Sequence, residues 1–254
     1  MSTLTSEALV LVRYPLTESS WLVSLFTREE GRIRAVAQGA RRARSPFRGS
    51  LEPLNRVQAE LGLKEGRELA RLGRADLLEG ALDLFRTWPS AQVLFAVAEV
   101  LERGLPERHA EEETFRLVVA LMKGLREGLD GEEAWTYFVA WFLRLHGMFP
   151  RPDRCVSCGG PPGALHFDAG AGGWLCPACR ARRPEQGLPV DEGARLLLDS
   201  LFGGPPGAGT LAGQSRKALR TVRSMVYLAL VAYLGRPLAA APEFGEGPGP
   251  PGRP

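Results

Sequence analysis

Cys155, Cys158, Cys176 and Cys179 are all the cysteines in the chain, and they stand as two C-x2-C pairs. Each short pair presents two thiolates to one ion, and the segment between the pairs is long enough to fold back and complete a tetrahedron. This pattern points to one bound Zn2+. Four thiolates fill the coordination sphere and leave no position at which water could be activated, so the metal would be structural rather than catalytic. A redox dithiol or an iron–sulfur cluster is the competing chemistry. Between the pairs, Leu165, Phe167, Trp174 and Leu175 offer only a small apolar lining, with turns at Gly159-Gly160 and from Gly170 to Gly173. So small a unit needs the metal's contribution to folding, on the order of 10 kcal/mol when formed from unfolded ligands. His166 lies between the pairs, but with four cysteines available it reads as an ordinary packing or surface histidine.

Other catalytic patterns are weak or missing. His109-Ala110-Glu111 followed by Cys155 and Cys158 superficially resembles the H-x-E and P-C-x-x-C pair of zinc deaminases. Arg154 stands where that pattern needs proline, however, and Cys176 and Cys179 would be left without a role. There is no phosphate-binding G-x-x-x-x-G-K-[ST] loop, no G-x-S-x-G elbow and no H-E-x-x-H. The chain reads as a binding protein, not an enzyme.

Positive charge is local rather than global. The net charge is only +3, yet seven arginines lie between Arg28 and Arg48 against Glu29 and Glu30, whereas Glu99 to Glu133 carries ten acids and five bases. The densest stretch, Gln38 to Gly49, holds Arg41, Arg42, Arg44 and Arg48 with Phe47 among them. Arginine forks suit phosphates and Phe47 could stack on an unpaired base, so a mobile DNA-binding loop is expected here. Arg32 and Arg34 would continue the positive strip along an adjoining strand. A second patch has Arg216, Arg220 and Arg223 on one face of a late helix with Lys217 beside it, and reads equally as a phosphate contact or a solvated face. Neither patch carries a base-reading Asn or Gln pattern, so binding should tolerate sequence.

The elements that must position these groups change character along the chain. Ala8 to Tyr14, Trp21 to Thr27 and Arg32 to Ala37 read as strands, the last alternating arginine with apolar side chains. Leu51 to Leu61 and Glu68 to Leu78 are two more, the latter expected to turn helical near Asp76. Five short strands in one small domain suggest an OB-type β-barrel. Helical periodicity follows at Ala91 to Leu101, Thr114 to Leu125 and Glu132 to His146, where Trp135, Phe138, Phe142 and Leu145 form a core stripe. Helices at Pro189 to Leu201 and Ser215 to Leu234 flank the glycine-rich 203–213 segment. The expected fold class is multidomain α+β, with an OB-type barrel over 1–79 and a helical domain over 80–150 and 188–240. A four-cysteine zinc module over 151–187 would be inserted in that helical domain. A Pro/Gly tail over 241–254 has little to bury and is expected to be disordered.

Met1 to Glu7 is not a basic region leading into an apolar core, and no segment approaches 18 uninterrupted apolar residues, so a cytoplasmic location without a membrane partner is expected. For a DNA-binding protein this means the nucleoid.

These features resemble the bacterial RecO family of recombination mediators of the RecFOR pathway. The N-terminal likeness runs through Ala8-Leu9-Val10-Leu11, Glu18, Leu25-Phe26-Thr27, Gly31, Gly39-Ala40-Arg41-Arg42, Ser45 and Leu51-Glu52-Pro53-Leu54. The four cysteines match the zinc-bearing members, and Arg223, Tyr227-Leu228 and Leu234-Gly235 resemble the closing helix. The resemblance covers about residues 4–238. It implies an OB fold, a helical domain and a zinc module. It further implies binding of single- and double-stranded DNA, annealing of complementary strands, contact with the C-terminal tail of single-stranded DNA-binding protein, and joint action with RecR in loading RecA on gapped DNA. The family's basic loop falls on Gly39, Arg41, Arg42 and Ser45. A structural adaptor whose N-terminal domain contacts protein rather than DNA is the alternative reading.

Overall fold

The computed structural model describes residues 2–64, 66–161, 163, 165–183, 187–203 and 215–244. Most of the glycine-rich 203–213 segment, and residues 245–254 of the tail for which disorder was expected, lie outside the described residues. The chain divides into two compact units, Met1–Arg116 with Leu238–Ala241, and Leu117–Pro237 with Pro242–Pro254.

In the first unit the strands are β1 (Ser2–Pro15), β2 (Trp21–Thr27), β3 (Gly31–Ala37), β4 (Arg56–Leu63) and β5 (Ala70–Glu79). β1 is long enough to serve two neighbours. Its first part pairs antiparallel with β4, from Ser2 opposite Leu63 to Leu9 opposite Arg56. Its second part pairs with β2, with an irregularity between Val10 and Val12 that lets the strand change direction. Alternation does the rest: in β3, Ile33, Ala35 and Ala37 point inward while Arg32, Arg34 and Val36 are half-buried on the other face. Val10, Leu25, Ile33, Val57, Leu61 and Leu72 meet in the resulting core.

The strands run in the order β1-β2-β3-β5-β4, with β4 returning to β1. The five strands of the expected barrel close on themselves, and their last seam is the short one. β3 and β5 close it through two residue pairs, in parallel: Ala35 with Ala70 and Val36 with Arg71. The start of β3 turns its free edge elsewhere. Arg32 bridges to Glu107, and the Arg108 N–H donates to the Arg32 carbonyl at 3.0 Å. What forms is a mostly antiparallel, five-stranded closed barrel in a mixed α+β protein, with that short parallel seam joining its ends. β5 also stays extended to Glu79 instead of turning helical at Asp76, because its far half pairs with β4 through Glu79 opposite Arg56.

A 3-10 turn at Leu84–Arg86 leads into α1 (Trp88–Gly104), which has Pro89 in its first turn and buries Val93, Leu94, Val97 and Leu101 at helical spacing. Phe26 packs against Phe115 with tilted rings, their centroids 5.5 Å apart. α2 (Glu112–Arg126) opens on Glu112 and Glu113, the sign that suits a helix start.

The second unit contains α3 (Gly131–Leu145), α4 (Pro177–Arg180), α5 (Glu192–Gly203) and α6 (Arg216–Leu234). The Asp130 carboxylate caps α3 by accepting from the Glu132 and Glu133 N–H groups at 2.9 and 3.3 Å. Gly147 at φ +73° and Gly235 at φ +74° supply the left-handed turns that follow α3 and end α6. Trp135, Phe138 and Phe142 are fully buried, as the aromatic stripe required. Short strands β6 (His166–Asp168), β7 (Gly173–Leu175) and β8 (Leu188–Pro189) form a separate sheet in the order β7-β6-β8. No helix among the described residues is long and apolar enough to cross a membrane.

Candidate metal centre and nucleic-acid interface

The cysteine pairs converge because two turns face each other across a β hairpin. After Cys155, the Gly159 N–H donates back to the Cys155 carbonyl at 2.8 Å, and the Cys155 N–H donates to the Gly160 carbonyl at 3.0 Å. The Val156 N–H donates to the Trp174 carbonyl at 2.8 Å, fixing this first turn to β7. That approach needs a glycine beside Trp174: a Cβ on Gly173 would fall 2.7 Å from Val156 Cγ1. The second pair straddles the start of α4, where the Arg180 N–H donates to the Cys176 carbonyl at 2.9 Å. Behind the sulfurs, Phe149, Phe167 and Trp174 pack with centroids 5.0–5.4 Å apart, and the Trp174 indole N–H donates to the Pro150 carbonyl at 2.8 Å.

All four Sγ atoms lie within 4.8 Å of one another, and Cys158 Sγ and Cys176 Sγ are 3.9 Å apart. A tetrahedral ion with metal–sulfur bonds of about 2.3 Å separates its sulfurs by about 3.8 Å. The donor set therefore fits a metal ion. Electrostatics fits as well. Burial works against ionising Cys155, but N–H donors from Cys176, Cys158 and Ser157 outweigh it and bring the thiol down to about 6. Cys179 shows the opposite outcome: the Ser157 hydroxyl favours its thiolate, yet the neighbouring sulfurs of Cys176, Cys158 and Cys155 push it up to about 11. Four close sulfurs cannot all ionise alone, and a divalent cation removes that obstacle. His166 stands in β6 and contributes no atom to this cluster.

The arginines expected at a DNA surface divide into two groups. Arg32, only 14% exposed, ion-pairs with Glu102 and Glu107, both at 3.3 Å, and its Nε donates to the Leu105 carbonyl. Arg34 pairs with Glu107 at 2.8 Å. The outer face of β3 thus meets carboxylates from α1 and the segment after it. On α6, Lys217 pairs with Asp191 at 2.9 Å and Arg223 with Glu132, while Arg216 and Arg220 meet no acid among the described residues.

Between β3 and β4 the picture differs. Arg42, Arg44 and Arg48 are exposed and pair with no acid among the described residues. They sit on a chain of turns rather than a mobile loop: Arg42 N–H to the Gly39 carbonyl at 3.1 Å, Ser45 to Arg42 at 3.0 Å, Arg48 to Ser45 at 3.3 Å, and Ser50 to Phe47 at 3.2 Å. Asn55 clamps the end, donating to the Gly49 carbonyl at 2.8 Å and accepting from the Ala81 N–H at 2.9 Å. Phe47 is also corrected. Its ring is 6% exposed and belongs to the sheet core beside Leu51, so it anchors the turns and is not available to stack on a base. Sequence reading missed Trp21, half-buried at the start of β2, with the guanidiniums of Arg13 and Arg41 at 5.2 and 5.1 Å from its ring centroid. Its place was hidden because Trp21 reads as one more strand residue until Arg41 folds back over it.

Exposed loop arginines and a four-sulfur cluster that could hold a metal ion are features suited to contact rather than turnover. Comparison with known proteins sharpens this. Residues 1–81 match the family model for the N-terminal part of recombination protein O, and residues 91–241 match that for its C-terminal part. The DNA repair protein RecO of Anaeromyxobacter sp. (strain K) is 33% identical over 88% of this chain and 88% of its own. That of Geobacter metallireducens is 32% identical over 94% and 95%. That of Koribacter versatilis is 41% identical over 61% of this chain and 63% of its own. The chain belongs to the RecO family of bacterial DNA repair proteins. It is accordingly a non-catalytic recombination mediator.

Proposed function

We propose that this chain binds single- and double-stranded DNA through the turn-rich segment between β3 and β4, with Arg42, Arg44 and Arg48 on phosphates and Arg41 beside them. Arg216 and Arg220 would form a secondary contact. One observation carries the reading: these loop guanidiniums are exposed without an acid partner among the described residues, whereas Arg32, Arg34, Lys217 and Arg223 are ion-paired. Family membership supports the remaining steps. Held on such a surface, complementary single strands anneal. With RecR, the protein helps RecA load onto gapped DNA covered by single-stranded DNA-binding protein, whose C-terminal tail it contacts. The four cysteines hold one structural Zn2+ that shapes the module and takes no part in chemistry. The adaptor reading is favoured by the exposure of the large apolar side chains Leu82, Trp88 and Phe95, which suit protein contact.

Titration with labelled single-stranded and duplex DNA at several salt concentrations separates the two. Arg42→Glu with Arg44→Glu should weaken both forms, across unrelated sequences, because phosphate contacts carry no base information. Each lost contact should flatten the logarithmic salt slope by about 0.7 for single strands and about 0.9 for duplex. Wild-type affinity and slope in that double variant would remove the segment from the interface.

A further inference from the structure

Trp21 is a half-buried aromatic side chain beneath Arg41, and its surroundings are unusual for a packing residue. It pairs across the sheet with Pro15 and with Ala37, at the end where the turn-rich segment leaves β3. Two guanidiniums lie over its ring, Arg13 at 5.2 Å and Arg41 at 5.1 Å. They are not equivalent. Arg13 is fixed by Glu52 through two hydrogen bonds of 2.8 and 2.7 Å, so its charge is matched and its position set. Arg41 is exposed and meets no acid among the described residues; its guanidinium donates only to the Thr17 carbonyl, at 2.6 Å. One guanidinium is therefore held in place, and the other is a cation whose natural partner is a phosphate.

We infer that Trp21 is a base-stacking residue that distinguishes unpaired from paired DNA, resting on the DNA-binding reading above. An unpaired base takes the place of the Arg41 guanidinium on the indole, and Arg41 shifts to the adjoining phosphate alongside Arg42. The exchange replaces a cation over an aromatic ring with a base stacked on it, which is the sequence-tolerant contact of single-strand binding. A base inside a duplex is already stacked and paired, so it gains nothing here. Arg42, Arg44 and Arg48 serve both forms of DNA, and Trp21 serves one.

The test compares an oligothymidylate with a mixed-sequence duplex of equal length at one ionic strength, using full-length wild type, Trp21→Leu and Trp21→Phe. Trp21→Leu should lose roughly 5- to 100-fold in affinity for the single strand, the range expected for one base–aromatic stack, and stay within about twofold on the duplex. Trp21→Phe should retain most single-strand affinity. Because no phosphate contact is removed, the salt slope should not change. Trp21 also packs against the sheet core, so a second readout uses only the conservative variant: the oligothymidylate should quench tryptophan emission in wild type and quench it less in Trp21→Phe. Equal losses on both forms of DNA, or identical quenching in the two proteins, would overturn the inference while leaving DNA binding intact. A wild type that binds neither form would overturn both.

Discussion

Arg223, in the middle of α6, is ion-paired with Glu132 in the first turn of α3, and the two side chains are only 13% and 18% exposed. The same guanidinium lies over the Phe244 ring, 5.4 Å from its centroid. A residue that looks like part of a basic stripe in the sequence is a tie between two helices of the second unit. Arg223→Ala should leave Glu132 without its cation in a poorly solvated place and cost on the order of 3 kcal/mol, read as a lower urea midpoint. DNA affinity of the folded fraction should stay near wild type. A variant of unchanged stability that loses salt-dependent DNA binding would put α6, not the β3–β4 segment, on the nucleic acid.

Two carboxylates of the first unit should respond to pH in opposite directions. Burial raises Glu102 above the usual carboxylate range, despite the Ser24 hydroxyl and the guanidiniums of Arg32 and Arg34 nearby. Hydrogen bonding from Arg28 lowers Glu112, with its charge adding to the effect. A raised folded-state pKa means that stability is fully present below the unfolded value and lost as pH rises through the folded one; a lowered pKa reverses the sign. As pH falls from about 7 to about 4, wild type should therefore gain stability relative to Glu102→Gln, and as it falls further, below the ordinary glutamate value of about 4.3, it should lose stability relative to Glu112→Gln. Denaturation midpoints across both ranges check both, and slopes of the same sign would show that one environment is wrongly understood.

Local pattern carried much of this architecture. The alternation of Arg32-Ile33-Arg34-Ala35 marked β3, the Trp135-Phe138-Phe142 spacing marked α3, and the C-x2-C pairs marked the sulfur cluster, since each is a property of neighbouring residues. What stayed hidden depended on distant partners. Nothing near Arg32 in the chain says that Glu102, Glu107 and the Arg108 N–H will take up its side chain and strand edge. Phe47 looks available among four arginines because its neighbours are polar, and only the turn hydrogen bonds from Gly39 to Ser50 show it folded into the core.

The metal centre gives the most direct test. The protein purified under reducing conditions without chelator should carry one zinc per chain, because four sulfurs at tetrahedral spacing form a closed site. Cys158→Ser and Cys179→Ser should each lose it, whereas His166→Ala should keep it. Removing zinc should loosen the two facing turns first, since the backbone hydrogen bonds of Cys155 and Cys176 are few and exposed Cys158 has little packing to replace the bond. The stability lost should fall below the roughly 10–16 kcal/mol of isolated zinc-finger peptides, because Phe149, Phe167 and Trp174 already pack behind the sulfurs. Trp174, fully buried with its indole N–H on Pro150, should report the change as altered emission and near-UV dichroism. Affinity for DNA at the β3–β4 segment should fall far less than thermal stability does. Purified protein with no zinc, or one that gives up its metal to a chelator with no shift in Tm, would show that the cysteines serve a redox role instead.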